Sequence, residues 1–405
     1  MTVVRVGVMN FYRTFNASAT CLSYEPGIVE YEDFQPSAEP VFILGTKYST
    51  LHDLEELRSD VKSRIWLTYR KNFPAIGGTG PTSDSGWGCM LRCGQMVLAQ
   101  ALIRRHLGRG WRWNPESSRN DREYMDILRM FQDKKKCPYS IHQIAQMGVS
   151  EGKAVGEWFG PNTVAQALRK LAMFDNRGSL AVHVAMDNTV IISEIKDVCK
   201  LKSVSAAVPP AEEPLRKRPS CSARSDEPPQ WQPLLLFIPL RLGLSEINPI
   251  YFSGIKKTFA MKQSLGFIGG KPNHALYFIG VSGDELVFLD PHTTQLVCDL
   301  DEECCTDETY HCPYASRMDI GQLDPSVALC FFFATETDFD CWCTSAHKHL
   351  VDKVKQPLFE VTNRRPPGWP PLEEQRKDLE CASLEFTVLD RDRKFDNSDD
   401  EFEIL

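Results

Sequence analysis

The sequence lacks any long, uninterrupted hydrophobic run. The best run, from Pro233 to Leu240, is stopped by Arg241 and is much shorter than the ~18–20 apolar residues of a membrane-spanning helix. The first fifteen residues contain Arg5 and Arg13 and show neither the apolar centre nor the small-residue cleavage site of a secretory signal. We therefore expect a cytoplasmic protein without a membrane span, whose cysteines are mostly reduced.

An excess of positive charge is also missing. The 405 residues carry 46 lysines and arginines against 54 acidic residues, which gives a formal net charge of −8. This balance argues against nucleic acid as the main partner, because phosphate binding favours a basic face. The hydrophobic content of 42% and charged content of 25% are typical of a globular protein and exclude a wholly disordered or fibrous chain.

Nucleotide-binding and zinc-binding patterns are incomplete. Two segments are glycine-rich, but Pro272 stands where a P-loop requires Ser or Thr. Two Cys/His clusters lack the two-residue spacing that structural zinc sites prefer. These clusters are Cys304-Cys305 with His311-Cys312, and Cys341-x-Cys343 with His347-x-His349. We expect no cofactor and no metal, and a zinc-organised scaffold stays open as an alternative.

Composition divides the chain into a central region that is predicted to fold and three segments that are predicted to be flexible or disordered. Residues 1–38 lack a helical or strand period and are predicted to form a flexible tail. The proline-rich and serine-rich segment 203–232 is predicted to be a disordered insertion, and 354–405 a flexible acidic tail. Residues 39–353 are predicted to form the folded domain, with a small inserted subdomain at about 140–202.

Hydrophobic spacing predicts three helices in this domain. One is expected from Thr50 to about Trp66, and a second over 90–107, ended by Gly108. A third is expected over 163–172, with Asn162 as its N-cap. Buried strands are predicted at 234–238 and 327–334, and a hairpin at 275–281 and 285–289 around Ser282-Gly283-Asp284.

Among the fourteen cysteines, Cys89 has a distinctive position at the start of the second predicted helix. Unpaired N–H groups and the helix dipole lower the pKa of a thiol placed there and favour the thiolate. Gly86 and Gly88 would let a substrate backbone approach closely. From this segment alone, the alternative is that Cys89 is a small core residue at a helix start, and the reactive thiol is the favoured interpretation.

Asp290-Pro291-His292 offers the partner that a thiolate nucleophile needs. Pro291 holds Asp290 extended, and residues two apart on an extended chain point to the same side. The carboxylate and the imidazole can therefore face one target together, with the carboxylate fixing the ring tautomer. The alternative is a strand that simply ends in a turn, where Asp-Pro is common.

Five longer motifs resemble one family. They are 66-WLTYRKNFP-74, 86-GWGCMLRCGQM-96, 156-GEWFGPNT-163, 269-GGKPN-273 and 289-LDPHTTQ-295. This set, spread over roughly Val41 to Leu350, resembles the autophagins, the papain-like cysteine peptidases that process ubiquitin-like autophagy modifiers of the GABARAP type. The resemblance implies an α+β, papain-like fold.

The resemblance also implies roles for individual residues. Cys89 matches the nucleophile, His292 the general base and acid, and Asp290 the residue that orients the imidazole. Tyr69 matches the tyrosine whose hydroxyl forms the oxyanion hole with the backbone N–H of Cys89. Trp158 matches an aromatic gate over the cleft, and the segment Gly269, Gly270, Lys271 and Pro272 matches a flexible piece that lifts with the gate.

The implied partners are GABARAP-type modifiers, both as free precursors and as conjugates with phosphatidylethanolamine. The protein itself is expected to be a monomer. Near the end of the chain, Phe402 and Leu405 lie in an acidic context and resemble a modifier-interacting motif, although a solvated acidic tail is the alternative. Cys93 lies one helical turn after Cys89, which suggests the hypothesis of a redox switch. A catalytically idle adaptor and a thiol hydrolase of ubiquitin itself remain the rival functions.

Overall fold

A computed structural model describes residues 22–23, 33–175, 180–200, 230–302, 305–352 and 355–369. The predicted insertion at 203–232 lies outside the described residues except for its last three positions. Most of the predicted acidic tail, including the motif residues Phe402 and Leu405, also lies outside them.

Strands and helices are interspersed along the chain. The strands are β1 (Leu22–Ser23), β2 (Val41–Ile43), β3 (Thr46–Tyr48), β4 (Arg70–Lys71), β5 (Ala181–Val184), β6 (Thr189–Ile191), β7 (Leu234–Arg241), β8 (Ser264–Lys271), β9 (His274–Ser282), β10 (Glu285–Leu289), β11 (Thr293–Leu296), β12 (Ser316–Asp319), β13 (Ser326–Phe333) and β14 (Glu360–Thr362). The helices are α1 (Leu54–Lys62), α2 (Cys89–His106), α3 (Arg122–Arg129), α4 (Ile141–Met147), α5 (Pro161–Ala172), α6 (Ile192–Lys200), α7 (Phe252–Ala260) and α8 (Glu336–Ala346).

One large sheet organises the domain. Its strand order is β12-β10-β9-β8-β13-β7-β5, and β2 pairs with β9 and β3. The pairs are antiparallel except for β5 with β7, which is parallel. The strands β1-β11-β4 and β6-β14 form two small separate sheets.

Side chains of the central strands alternate between two cores. In β7, Leu235 and Phe237 belong to one hydrophobic cluster, whereas Leu234 and Leu236 belong to the other. The same alternation continues in β13, as the period of two along a strand requires. Helices α1 to α5 supply the first core, and α6, α7 and α8 supply the second. Helices on both faces of a mainly antiparallel sheet confirm the predicted α+β class.

The strongest predicted elements are confirmed. Helix α2 begins at Cys89, and Gly108 follows its C-cap with a φ of +83°. Strands β7 and β13 cover the predicted buried runs, and β9 and β10 form the predicted hairpin. Helix α2 and the hairpin were each predicted from an apolar pattern together with a glycine, and the two buried strands from their apolar runs alone.

Two predicted helix starts are wrong. Helix α1 begins at Leu54 rather than at Thr50, because the preceding residues form a turn in which the Asp53 carboxylate accepts the N–H of Ser49 at 2.9 Å. Helix α5 begins at Pro161 with Gly160 as its N-cap, so Asn162 lies inside the first turn. Proline is well suited to that first helical position, since it has no N–H to leave unsatisfied.

The predicted N-terminal tail and the predicted inserted subdomain both contain residues that pair or pack with the folded domain. Within the predicted N-terminal tail, β1 pairs with β11 and Phe34 is buried. Within the predicted subdomain at about 140–202, β5 pairs with β7 in the large sheet, and α5 packs against α2 and β5.

The small sheet brings distant parts of the chain to one place. Strand β4 pairs in parallel with β11, with Arg70 opposite Gln295. The turn that contains Asp290 and His292 lies between β10 and β11 and is therefore held beside Tyr69, which precedes β4. Among the described residues, no helix is both long and apolar enough to cross a membrane.

Candidate active site

Cys89 is the first residue of an 18-residue helix, as the sequence predicts. Its N-cap is Gly88, which has no side chain, so no side-chain hydrogen bond caps the N-terminal end of α2 at this residue. Gly86 has a φ of +86°, and a Cβ atom on Gly88 would lie 2.4 Å from Oδ2 of Asp84. Glycine is therefore required at both positions for the chain to turn closely into the helix.

A buried ion cluster fixes the loop in front of this helix. The Arg92 guanidinium donates to Oδ2 of Asp84 at 2.7 Å and to Oδ1 of Asp133 at 2.9 Å. All three side chains are at least 95% buried. Asp84 also accepts the backbone N–H of Arg70 through Oδ1 at 2.6 Å. One carboxylate thus connects the strand after Tyr69 to the helix that begins with Cys89.

His292 and Asp290 form a close pair. Nδ1 of His292 lies 2.6 Å from Oδ1 of Asp290, and the His292 backbone N–H donates to the same oxygen at 2.9 Å. Burial alone would raise the pKa of Asp290, but the nearby imidazoles of His274 and His292 outweigh it and hold that pKa well below its usual value. The carboxylate therefore stays charged and orients the His292 ring.

The thiol and the imidazole stabilise each other's charged forms. Burial opposes charge on His292, yet the hydrogen bonds to Asp290 and Cys89 raise its pKa to about 9. Burial likewise opposes the thiolate of Cys89, but its contacts with His292, the backbone N–H of Ala275 and Tyr69 lower the thiol pKa. These opposite shifts favour a thiolate–imidazolium pair at neutral pH.

Tyr69 lies where a developing oxyanion could be stabilised. The side chain is buried, and burial together with the negative charge of Cys89 raises the pKa of its hydroxyl, which keeps it protonated. The Tyr69 N–H donates to the carbonyl of Pro291 at 2.8 Å, and the Tyr69 ring meets the His292 ring edge-on at 5.3 Å. A neutral hydroxyl beside a thiolate is a suitable hydrogen-bond donor for that purpose.

The two predicted gate elements differ in character. Trp158 is 46% exposed, and its indole N–H donates to the carbonyl of Gly86, in the loop before the nucleophile. Gly269, Gly270 and Lys271 are not a loop, because they belong to β8 and pair with the start of β9. The turn itself is only two residues long, Pro272 and Asn273. The segment over Gly269 to Pro272 thus comprises the end of β8 and the first turn residue, and its role as a flexible gate stays a prediction.

One residue of the site, His274, was not predicted from the sequence. His274 opens β9, and its ring stacks on that of His292 with centroids 3.5 Å apart and planes 8° from parallel. Its Nε2 lies 3.6 Å from Oδ2 of Asp290, an ion-pair distance rather than a hydrogen bond. The sequence pattern gave no signal for this contact, because His274 lies eighteen positions before its stacking partner.

His274, Asp290 and His292 also bring three possible metal ligands within 4.8 Å of one another. Their geometry is poorly suited to a metal ion. Two imidazoles stacked face to face cannot both aim an in-plane lone pair at one ion about 2.0–2.1 Å away. The Oδ1 atom of Asp290 is also already bound to His292.

Neither zinc cluster considered from the sequence gathers three ligand atoms within the part of the chain that the structure describes. The ring of His311 instead lies between Tyr124, at 2.8 Å from Nε2, and the carbonyl of Lys62, at 2.9 Å from Nδ1. Cys304 lies outside the described residues.

The environment of Cys93 does not favour its hypothesised redox role. The side chain is fully buried, and burial together with the charges of Cys89 and Asp290 raises the thiol pKa well above its ordinary value. Redox-sensing cysteines need an accessible thiolate. The arrangement places the reactive character on Cys89 instead.

Comparison with known proteins finds one family across most of the chain. The peptidase C54 catalytic domain matches residues 54–345. The chain is 51% identical over 383 residues to cysteine protease ATG4A of Xenopus laevis, which covers 94% of this chain and 96% of that protein. It is 51% identical over 395 residues to cysteine protease ATG4B of Gallus gallus, covering 96% and 99%, and 49% identical over 379 residues to cysteine protease ATG4A of Homo sapiens, covering 92% and 95%.

Proposed function

The chain belongs to the peptidase C54 family of papain-like cysteine peptidases, and from this premise we propose that it cleaves ubiquitin-like autophagy modifiers of the GABARAP type after their C-terminal glycine. The observation that carries the proposal is the placement of Cys89 at the start of α2 together with His292, whose ring Asp290 orients at 2.6 Å; the opposite pKa shifts of the thiol and the imidazole support it. This arrangement supports catalysis rather than the idle adaptor considered from the sequence.

The proposed reaction runs through a thioester. The Cys89 thiolate attacks the glycine carbonyl, and the new oxyanion accepts hydrogen bonds from the Tyr69 hydroxyl and the Cys89 backbone N–H. His292 gives its proton to the leaving amine as the tetrahedral intermediate collapses. His292 then removes a proton from water, which attacks the thioester and releases the glycine carboxylate and the Cys89 thiolate.

We assign two substrates to this site. In the modifier precursor, the leaving amine belongs to the residue after the glycine. In the lipid conjugate, it is the amine of phosphatidylethanolamine, so the same chemistry removes the modifier from a membrane. Both reactions expel an amine from a glycine carbonyl, which is why one thiol can perform both.

Specificity for glycine is proposed to come from the approach to Cys89. Trp158 is held over the Gly86 loop by its indole hydrogen bond, and a narrow groove under it would exclude a residue with a side chain. We further propose that the enzyme acts as a cytoplasmic monomer. Its segment with Phe402 and Leu405, outside the described residues, would add a docking contact for the modifier.

The test is cleavage of a purified GABARAP-type precursor and of the same modifier conjugated to phosphatidylethanolamine in liposomes. We expect the parent to cleave both, and Cys89→Ala to cleave neither. Cys341→Ala is the matched control, since Cys341 is an exposed thiol on α8, and it should keep full activity.

Three results would contradict the proposal. An inactive parent would favour the adaptor, and undiminished cleavage by Cys89→Ala would remove the assigned nucleophile. Equal cleavage of a ubiquitin fusion in a parallel reaction would favour the ubiquitin hydrolase. Cleavage of the precursor without release from liposomes would overturn the second substrate alone.

A further inference from the structure

His274, within the described part of the chain, is a titratable side chain that contacts the Asp290–His292 pair and that the proposed mechanism does not use. It follows the two-residue turn of Pro272 and Asn273, and its backbone pairs with Lys271. The side chain is 27% exposed. It is thus held by a strand on one side and faces the proposed catalytic centre on the other.

The two oxygens of Asp290 face different imidazoles. Oδ1 lies against Nδ1 of His292 at 2.6 Å, and Oδ2 lies 3.6 Å from Nε2 of His274. A carboxylate bound at one oxygen only can still rotate about its Cβ–Cγ bond. A positive or polar group at the second oxygen limits that rotation, so His274 stabilises the orientation that His292 needs.

The His292 ring is confined by the same residue. The ring of His274 covers one face at a centroid distance of 3.5 Å, while the Tyr69 ring approaches edge-on at 5.3 Å. Rotation of the imidazole out of its plane would collide with the stacked ring. The ring therefore keeps the direction in which it meets Cys89.

The neighbouring residue extends this arrangement to the nucleophile. Ala275 follows His274 on β9, and its backbone N–H is among the contacts that stabilise the Cys89 thiolate. The first two residues of β9 thus contact all three members of the proposed catalytic set.

We propose that His274 is a positioning residue that holds the Asp290 carboxylate and the plane of the His292 imidazole in their reactive orientation. The proposal rests on the proposed function only in taking Cys89, His292 and Asp290 as the catalytic set. It assigns no chemical step to His274, which neither gains nor loses a bond in the reaction.

Three substitutions separate the two contacts. His274→Ala removes both, His274→Gln keeps an N–H near the position of Nε2, and His274→Phe keeps a flat ring for stacking. His52→Ala, an exposed histidine before α1, is the matched control. Each variant is assayed for kcat and KM on the modifier precursor, for its melting temperature, and for the alkylation rate of Cys89 by iodoacetamide, followed by mass spectrometry.

We expect His274→Ala to lower kcat and Cys89 alkylation together by on the order of 10-fold, a fraction of the ~10²–10⁴ that positioned acid–base catalysis contributes. KM and the melting temperature should stay close to those of the parent. At least one of His274→Gln and His274→Phe should recover part of both rates, and His52→Ala should match the parent.

Two results would overturn the proposal. The first is a His274→Ala variant with parental kcat and alkylation rate. The second is equal loss in all three variants with a lowered melting temperature, which a merely structural side chain would give. Alkylation needs no substrate, so a parent that ignores the precursor while His274→Ala still slows alkylation would refute the proposed substrate and support the role of His274.

Discussion

Replacing Arg92 by methionine tests what stabilises the loop that precedes Cys89. Arg92 neutralises Asp84 and Asp133, and the three side chains are almost completely buried. Removing one partner of a buried ion pair costs about 3–5 kcal/mol, because a buried charge is left uncompensated. We therefore expect Arg92→Met to lower the free energy of unfolding by about that amount. The melting temperature should fall by roughly 6–10 °C, at the ~2 °C per kcal/mol of larger domains.

The loss of stability caused by Arg92→Met should also depend on pH. Burial already raises the pKa of Asp84 in the parent, against the lowering effect of Arg92. Without Arg92 that pKa rises further, so the folded state binds protons that the unfolded state has lost. Stability then falls as pH rises between the unfolded and folded pKa values. The loss caused by Arg92→Met should therefore be larger at pH 8 than at pH 5.

Urea denaturation of the parent and variant at both pH values measures this effect. Arg122→Met is the control, since the Arg122 side chain is 93% exposed and 3.8 Å from its partner Asp126. It should change stability by less than about 0.5 kcal/mol. A loss below 1 kcal/mol for Arg92→Met, or an equal loss at pH 5 and pH 8, would refute the reasoning.

Two further predictions concern the chemistry itself. Tyr69→Phe removes the hydroxyl beside Cys89 and should lower kcat by about 10²–10³ with little change in KM. Steady-state kinetics against the control Tyr314→Phe, at an exposed tyrosine, would show this, and an unchanged kcat would exclude Tyr69 from the oxyanion hole. Asp290→Asn removes a charge that raises the pKa of His292 to about 9. The alkaline limb of the kcat/KM profile should therefore move to lower pH by ~1–3 units, and an unmoved limb would contradict the assigned pairing.

Local sequence predicted the elements whose signals agree with one another. The apolar stripe after Cys89 and the glycine at 108 both indicated α2, and its start placed the thiol correctly. Asp290 and His292 were predictable because two residues on an extended segment share a side, and the pair is indeed 2.6 Å apart. The start of α5 was mispredicted because Asn162 competed as a cap with the Gly160-Pro161 sequence before it.

Contacts made across the fold could not be read from the sequence. His274 meets His292 only because the β8–β9 hairpin and the turn after β10 converge, and no spacing rule links positions 274 and 292. The burial of Cys93 similarly depends on how α2 packs against β8, β9 and α5. The sequence shows that Cys93 lies one helical turn after Cys89. The burial that decides thiol reactivity, however, depends on contacts from the whole core.

The parallel pairing of β4 with β11 has a consequence for the time at which activity arises. Cys89 and His292, the proposed nucleophile and base, lie about 200 residues apart, so at ~5–20 residues per second the ribosome adds His292 roughly 10–40 s after Cys89. Pairing across such a separation is slow to form, because a long loop must close before its contacts stabilise it. In the nascent chain Cys89 is therefore present before His292, and we expect the two to meet only after β11 has paired with β4, where Arg70 lies opposite Gln295. We therefore expect synthesis and folding themselves to delay the assembly of the Cys89–His292 pair.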